Sequence, residues 1–313
     1  MTPSREQFLA TRPLILGSIH RTPVLTCKSI DGMVGASLFF KCENFQKTGA
    51  FKMRGAAHAV ARISESDRQK GVATHSSGNF AQSVALAAQN LGIPAYIVMP
   101  NNAPAVKKAA VIGYGAEVIE CPPTIRAREE TLMQVVERTG ATPLHPSNDI
   151  DVILGQGTAA EELLMDEPNL DAIFVPVGGG GLLAGTALAA HYLSPETKVY
   201  AGEPMGADDA YRSLKAGEIL PMENPNTIAD GLRTSLGSNN FPIIQKFVTE
   251  IFRVEEEEII HAMHMVWERM KIIIEPSCSV PLAALFKNKE QFAGKRVGII
   301  LSGGNVDLKN LPF

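Results

Sequence analysis

Short apolar runs rich in branched and aromatic residues alternate along the chain with longer segments in which apolar residues recur every three or four positions. The short runs predict β-strands and the longer segments predict helices. The predicted strands are Leu38–Cys42, Gly71–His75, Ala95–Met99, Glu117–Cys121, Ala172–Val177, Val199–Gly202 and Val297–Leu301. The predicted helices are Phe51–Arg62, Asn79–Leu91, Val106–Ile112, Arg126–Thr139, Leu182–Tyr192 and Glu256–Lys271. This alternation favours an α/β architecture with largely parallel sheets.

Composition narrows the class of protein. With 45% hydrophobic residues, 20% charged residues and a net charge of −4, the chain is typical of a globular protein that does not bind nucleic acid. The longest apolar runs are strand-sized and the N-terminus lacks a signal-peptide pattern, so neither a membrane span nor export is expected. The cysteines lack metal-ligand spacing; they are Cys27, Cys42, Cys121 and Cys278. These features predict a cytoplasmic protein.

Two segments at the starts of predicted helices carry candidate chemistry. Lys52 follows Phe51 and opens a predicted helix. A lysine in an apolar pocket loses its charge readily and can form a Schiff base, although a lone lysine more often faces solvent. The run Ser76-Ser77-Gly78-Asn79-Phe80 lies where a strand meets a helix, and free N–H groups there favour an anion such as a substrate carboxylate. The same run could serve only as a helix cap and turn.

A third segment consists of four consecutive glycines, Gly178 to Gly181, between a predicted strand and a predicted helix. Without Cβ atoms, the backbone can surround a phosphate closely with N–H groups, which favours phosphate binding over a simple turn. The spacing also satisfies the relaxed dinucleotide fingerprint, with Glu203 closing the next strand. An NAD-dependent oxidoreductase is therefore the alternative from another enzyme class, but it leaves Lys52 and the Ser76–Asn79 turn without a role.

The fourth segment, Ser302-Gly303-Gly304-Asn305, ends the last predicted strand. Its hydroxyl could hydrogen-bond a heterocyclic nitrogen, or the segment could simply form a glycine turn. In this order, the four segments resemble the fold-type II pyridoxal-phosphate (PLP) enzymes, the family of serine racemase and the serine and threonine dehydratases. The resemblance runs from Arg21 to Leu308, and Ala229-Asp230-Gly231 and Glu275-Pro276 are closest to the racemase branch.

The resemblance implies a homodimer whose subunits have two domains. The large, cofactor-binding domain would comprise residues 1–46 and 146–313, and the small domain residues 47–145. The implied site residues fall into four groups. Lys52 and Ser77 would be catalytic, as the Schiff-base lysine and a second acid/base on the opposite face of the cofactor. The cofactor contacts would be Phe51, Lys52, Asn79, Gly178, Gly179, Gly180, Gly181, Leu182 and Ser302. The substrate contacts would be Ser76, Ser77, Gly78, Asn79, Phe80 and Arg128. Mg²⁺ or Ca²⁺ would bind Glu203, Ala207 and Asp209, which offer hard oxygen ligands.

The function implied by the resemblance is PLP-dependent β-elimination of L-serine or L-threonine to a 2-oxo acid and ammonia, with possible serine racemisation through Ser77. Phe80 stands where the family commonly has histidine, and Ser147 where asparagine or phenylalanine is frequent, so substrate choice is open. Arg128, with Arg126 two residues earlier, could pair a distal carboxylate. That would suit 3-hydroxyaspartate, the within-class alternative, although both arginines could equally cover a helix surface. Without a long extension after Phe313, no amino-acid-sensing tail is expected.

Overall fold

The computed structural model describes residues 2–313 and contains two β-sheets surrounded by helices. In this range the strands are β1 (Val24–Leu25), β2 (Ser37–Cys42), β3 (Val72–His75), β4 (Ala95–Pro100), β5 (Glu117–Cys121), β6 (Thr142–Pro143), β7 (Ala172–Pro176), β8 (Lys198–Pro204), β9 (Glu250–Val254) and β10 (Arg296–Leu301). The α-helices are α1 (Arg5–Leu9), α2 (Thr11–Ile15), α3 (Lys28–Val34), α4 (Lys52–Ala61), α5 (Asn79–Leu91), α6 (Ala105–Gly113), α7 (Ile125–Thr139), α8 (Ile150–Asp166), α9 (Gly181–Leu193), α10 (Asp209–Ala216), α11 (Phe241–Phe247), α12 (Glu256–Met265) and α13 (Pro276–Lys287).

The larger sheet has six strands in the order β1-β2-β10-β7-β8-β9. All neighbouring strands are parallel except β1, which pairs antiparallel with β2. Successive side chains of β7 enter two different cores. Ile173 and Val175 pack with α8 and α9 on one face, and Phe174 packs with α12 and α13 on the other. A parallel sheet covered by helices on both faces needs continuous apolar strands, which explains the apolar run that predicts β7.

The smaller sheet has four parallel strands in the order β5-β4-β3-β6. Helices α4, α5 and α6 contribute to the core on one face, and α7 packs against the other. The predicted α/β class with largely parallel sheets is confirmed. All strands of this sheet lie between residues 72 and 143, inside the segment 47–145. The boundaries of the two predicted domains stay a prediction.

Several elements differ from the predicted ones. The predicted helix Glu256–Lys271 is α-helical only to Met265 and continues as a π-helical turn over Val266–Met270, which ends where Lys271 adopts a left-handed conformation with φ 61°. The pattern also missed β9, α13 and the 17-residue α8. Asp149 begins α8 by accepting the N–H groups of Asp151 and Val152 at 2.8 and 3.2 Å, an N-cap. In the described part of the chain no helix is long and apolar enough to cross a membrane.

A buried network of charges fixes α4 against the larger sheet. Arg54 of α4 is fully buried, and its Nε donates to Oε2 of Glu43 at 2.7 Å. Its Nη2 donates to Oε2 of Glu162 on α8, also at 2.7 Å. The same carboxylate accepts a hydrogen bond from Nζ of Lys41 on β2. Each buried charge therefore has a partner of opposite sign. Because Lys52 is the first residue of α4, this network also determines where Lys52 lies.

Candidate active site

Lys52 lies where the ends of both sheets meet. Its Nζ donates a hydrogen bond to the carbonyl of Pro146 at 2.8 Å. The same nitrogen lies 4.9 Å from the ring centre of Phe51 and 5.8 Å from that of Phe80. The backbone N–H of Phe51 in turn donates to the carbonyl of Ser302 at 2.9 Å. The structure therefore brings the first and fourth predicted segments into direct contact.

The surroundings of Lys52 make its neutral form more accessible than that of an exposed lysine. Burial lowers its pKa to about 8, and the negative charge of Glu275 opposes part of this shift. Desolvation penalises an ammonium ion that has no close carboxylate partner. An appreciable fraction of Lys52 is therefore the free amine near neutral pH, the form needed for attack on a carbonyl carbon.

Asn79, the first residue of α5, is held by two residues from the opposite side of the cleft. Its Nδ2 donates to Glu275 at 3.0 Å, and its Oδ1 accepts from Nδ2 of Asn305 at 2.9 Å. Glu275 is 6% exposed, and burial raises its pKa to about 7. The motif around Glu275 contributes to the family resemblance, but a site role for this carboxylate was not predicted. Its contact with Asn79 spans 196 positions along the chain.

The glycine loop forms a narrow cradle between β7 and the N-terminus of α9. Gly180 has φ +81°, and a Cβ there would lie 2.6 Å from Cδ2 of Leu236. A Cβ on Gly179 would lie 2.4 Å from Oγ of Ser147. Nδ2 of Asn240 donates to the carbonyl of Gly179 at 2.8 Å, so that oxygen already has a partner. The free N–H groups of the helix start thus suit an anion, and Leu182 lies in this first turn.

Ser302 directly follows β10 and is 2% exposed. The thiol of Cys278 lies beside its hydroxyl, and burial raises the pKa of that thiol. Both groups are therefore uncharged. A neutral hydroxyl at this position can donate a hydrogen bond to a ring nitrogen without protonating it.

The turn Ser76–Gly78 joins β3 to α5 and is half-buried. No side chain caps the N-terminus of α5, so its first N–H groups can hold an anion. The resemblance implies that Phe80 contacts the substrate. In the structure its side chain is 1% exposed and packs in the core of the smaller sheet. Its ring therefore forms part of the wall behind Lys52.

The two arginines of α7 face different surroundings. Arg126 is exposed and pairs with Glu130 on the same helix, Nε to Oε1 at 2.6 Å, so it does not form a fork with Arg128. Nε of Arg128 is buried without a hydrogen-bond partner. Burial lowers the pKa of His75, and the charge of Arg128 adds to that effect. Arg128 is thus near enough to His75, the last residue of β3, for its charge to act on that ring, against the opposing charge of Glu129.

Two histidines near Lys52 were not predicted as site residues. His75 ends β3 and His145 follows β6, the neighbouring parallel strand, and their ring centres are 6.2 Å apart in an edge-on arrangement. Their positions at or just after the ends of strands are the only signal in the sequence that could have found them.

The predicted metal ligands lie behind the glycine loop. Glu203 lies near the end of β8, and its carboxylate accepts the N–H groups of Ala210 and Tyr211 at 2.9 and 2.8 Å. Oδ2 of Asp209 accepts the N–H of Leu236 at 3.2 Å, while its buried Oδ1 has no hydrogen-bond partner. Burial raises the pKa of Glu203 well above its usual range and that of Asp209 to about 7. Over residues 2–313 no group of three or more His, Cys, Asp or Glu residues has a metal-binding arrangement.

Comparison with known proteins identifies the family. The family model described as "Pyridoxal-phosphate dependent enzyme" matches residues 15–303. The chain belongs to this family. Family membership decides between the two interpretations of the glycine loop in favour of PLP over a dinucleotide. The fold-type II assignment is confirmed, and the protein is a PLP-dependent enzyme of the group that contains amino-acid ammonia-lyases and racemases.

Relatives in this family match the chain over nearly its whole length. It is 49% identical to the β-hydroxyaspartate dehydratase of Paracoccus denitrificans, over 99% of each chain. It is 52% identical to the serine racemase of Dictyostelium discoideum, over 94% of this chain and 92% of the relative. The crystal structure of the Dictyostelium enzyme superimposes with a TM-score of 0.95, at 50% identity over 98% of this chain and 100% of the other.

Proposed function

We propose that the protein catalyses PLP-dependent β-elimination of L-serine or L-threonine, releasing ammonia and a 2-oxo acid. The observation that carries the proposal is Lys52, a lysine with a lowered pKa in a cleft formed by strand ends. Around it lie the uncapped helix start at Asn79, the glycine cradle and the neutral hydroxyl of Ser302. Each of these suits one part of a phosphorylated pyridine, which supports covalent attachment of the coenzyme to Lys52.

The residues around Lys52 fit the different parts of the coenzyme. The N–H groups of Gly178 to Gly181 and Leu182 would hold its phosphate, and Ser302 would face the ring nitrogen. Asn79, whose amide is held by Glu275 and Asn305, would face the ring oxygen. Bound coenzyme supplies an acceptor for the electrons released when the Cα–H bond breaks. Ser302, a buried neutral hydroxyl, would leave the ring nitrogen unprotonated, a setting that suits loss of the β-hydroxyl over reprotonation.

The chain's own groups then move the protons. As a free amine, Nζ of Lys52 would accept the Cα proton. The N–H groups of the Ser76–Gly78 turn at the start of α5 hold the substrate carboxylate and orient Cα toward Lys52. The hydroxyl of Ser77 provides the acid/base group for the opposite face, so serine racemisation would accompany elimination.

Product analysis tests this function. Purified holoenzyme should release ammonia and 2-oxo acid in equal amounts from L-serine or L-threonine, and Lys52→Ala should release neither. Failure of the wild-type enzyme to act on any small β-hydroxy amino acid would contradict the proposal. Reduction of NAD during turnover would instead support the oxidoreductase alternative.

A specific observation favours a second substrate, 3-hydroxyaspartate. Arg128 has a buried Nε without a partner, and a distal carboxylate could supply its acceptor. A relative of 49% identity is a β-hydroxyaspartate dehydratase. If Arg128 binds that carboxylate, Arg128→Ala should lower kcat/KM for 3-hydroxyaspartate by about 100-fold, as expected for loss of a charged hydrogen bond, and change serine turnover much less. Arg126→Ala is the matched control, and an equal loss on both substrates would contradict the assignment.

We also propose a divalent cation, Mg²⁺ or Ca²⁺, at Glu203, Asp209 and the carbonyl of Ala207. Two buried carboxylates with raised pKa values and one unpaired oxygen would be stabilised by a bound cation. Asp209 holds the backbone of Leu236, whose side chain packs against Gly180, so the cation would stabilise the glycine loop indirectly. EDTA should then lower the melting temperature and added Mg²⁺ or Ca²⁺ should restore it; an unchanged melting temperature would contradict the site.

The homodimer and the cytoplasmic location stay proposals. Exposed apolar side chains on the N-terminal segment, Leu14 at 53% and Leu16 at 52% exposed, support a second copy as partner. Sedimentation of the holoenzyme should give the mass of two chains, and replacing both leucines with serine should give one.

A further inference from the structure

His145 forms hydrogen bonds that define the protonation state of its ring. It lies in the turn between β6 and α8, and its Nδ1 accepts the backbone N–H groups of Ser147 and Asn148 at 3.2 and 2.8 Å. An imidazole nitrogen can accept hydrogen bonds only when it carries no proton. Enclosure in the cleft and the neighbouring His75 and Lys52 lower the pKa of His145 to about 4. Near neutral pH the ring is therefore uncharged, with its proton on Nε2.

The turn that His145 holds connects Lys52 to the glycine loop. The carbonyl of Pro146 accepts Nζ of Lys52 at 2.8 Å and Nε2 of Gln156 at 3.2 Å. The carbonyl of the next residue, Ser147, accepts Nδ2 of Asn240 at 2.9 Å, and its hydroxyl fills the space beside Gly179. Any displacement of this turn would move the hydrogen-bond acceptor of Lys52 and one wall of the cradle together.

We propose that His145 is a positioning residue, whose unprotonated Nδ1 holds the 146–148 turn and thereby places the carbonyl that orients Nζ of Lys52. This inference rests on the proposed function, in which Lys52 carries the coenzyme. Removal of Nδ1 leaves two backbone N–H groups without their acceptor, so the turn must rearrange to find new partners. The role is indirect, because His145 acts through the backbone of Pro146.

Two substitutions separate this role from direct contact of the ring with substrate or coenzyme. In His145→Asn the amide oxygen can occupy the position of Nδ1, whereas in His145→Gln the amide lies near the position of Nε2. The proposal therefore expects His145→Asn to keep PLP affinity within about threefold of wild type. His145→Gln and His145→Ala should each lose about tenfold, the change expected if the single hydrogen bond between Lys52 and the carbonyl of Pro146 is lost.

Titration of each apoprotein with PLP, followed by absorbance, measures this affinity without turnover. The rate of attachment as a function of pH gives the apparent pKa of Lys52, which should fall in the Gln and Ala variants because the ammonium form loses its acceptor. In His145→Asn that pKa should equal the wild-type value. His58→Gln, a buried histidine near the far end of α4, is the control for loss of a histidine elsewhere, and it should bind PLP like wild type.

Rescue by glutamine but not asparagine would overturn the proposal, because the ring would then act through Nε2. Equal binding by all variants would also overturn it. If His145→Ala does not fold, the comparison of Asn with Gln still decides the question. Failure of the wild-type protein itself to bind PLP through Lys52 would instead refute the proposed function, so the two failures are distinguishable.

Discussion

Replacement of Glu275 by glutamine should stabilise the apoprotein in a pH-dependent way. The carboxyl group is almost fully buried, accepts hydrogen bonds from Nδ2 of Asn79, and lacks a close cationic partner. Its pKa rises from 4.5 to about 7 because burial penalises the charged form. An amide of the same shape avoids this penalty and can still accept a hydrogen bond from Asn79.

The expected magnitude follows from the pKa shift. Each unit of pKa shift corresponds to ~1.36 kcal/mol, so the rise from 4.5 to about 7 corresponds to a penalty of about 3 kcal/mol. The folded state keeps the proton of Glu275 at pH values where the unfolded state has lost it. Wild-type stability relative to the variant therefore falls as pH rises from 4.5 to about 7. Below that window the two proteins should be equally stable.

Urea unfolding of the two apoproteins at pH 5, 6.5 and 8 measures this difference. Other buried acids, including Glu203 and Asp209, are present in both proteins and cancel in the comparison. Glu65→Gln, at an exposed position, is the control and should change stability by less than about 0.5 kcal/mol. A pH-independent difference, or a Glu275→Gln variant less stable than wild type at pH 8, would refute the reasoning.

Three further predictions concern the cradle, the core and the acid/base groups. Gly180→Ala should abolish tight PLP binding in a fluorescence titration, because φ is +81° and the added Cβ would meet Leu236; Gly32→Ala, where a Cβ meets nothing within 4 Å, should bind normally. Glu43→Gln should lower the free energy of unfolding by about 3–5 kcal/mol, since it removes a buried partner of Arg54. Ser77→Ala should slow serine racemisation more than elimination from the L-isomer, as measured by chiral chromatography and ammonia release; equal loss would contradict its assigned role.

Sequence patterns predict those strands, helices and loops whose conformation is determined by residues close together in the chain. The apolar run of β7 and the glycines that follow it are contiguous, and their spacing alone indicates a strand and a cradle. The pattern does not predict helix α8, because this helix is buried on all sides and carries buried polar residues such as Gln156 and Glu162. An amphipathic period therefore does not appear in it.

The contacts of Glu275 and His145 could not be predicted for a different reason. Glu275 meets Asn79 across 196 positions of the chain, and Pro146 meets Lys52 across 94. Burial and partners create the raised pKa of Glu275 and the neutral ring of His145, and both exist only after the two sheets come together. The absence of an Arg126–Arg128 fork could not be predicted either, because the pairing of Arg126 with Glu130 depends on which side of α7 faces solvent.

The central claim, that Lys52 carries the coenzyme, can be tested on the intact protein. Purified holoenzyme should show the visible absorption of PLP, and reduction with borohydride followed by peptide mass analysis should find the coenzyme attached to Lys52. Lys52→Ala should lose both the attached label and ammonia release while its apoprotein still folds. Attachment to a different lysine, or a wild-type protein that neither contains PLP nor takes it up, would contradict the account.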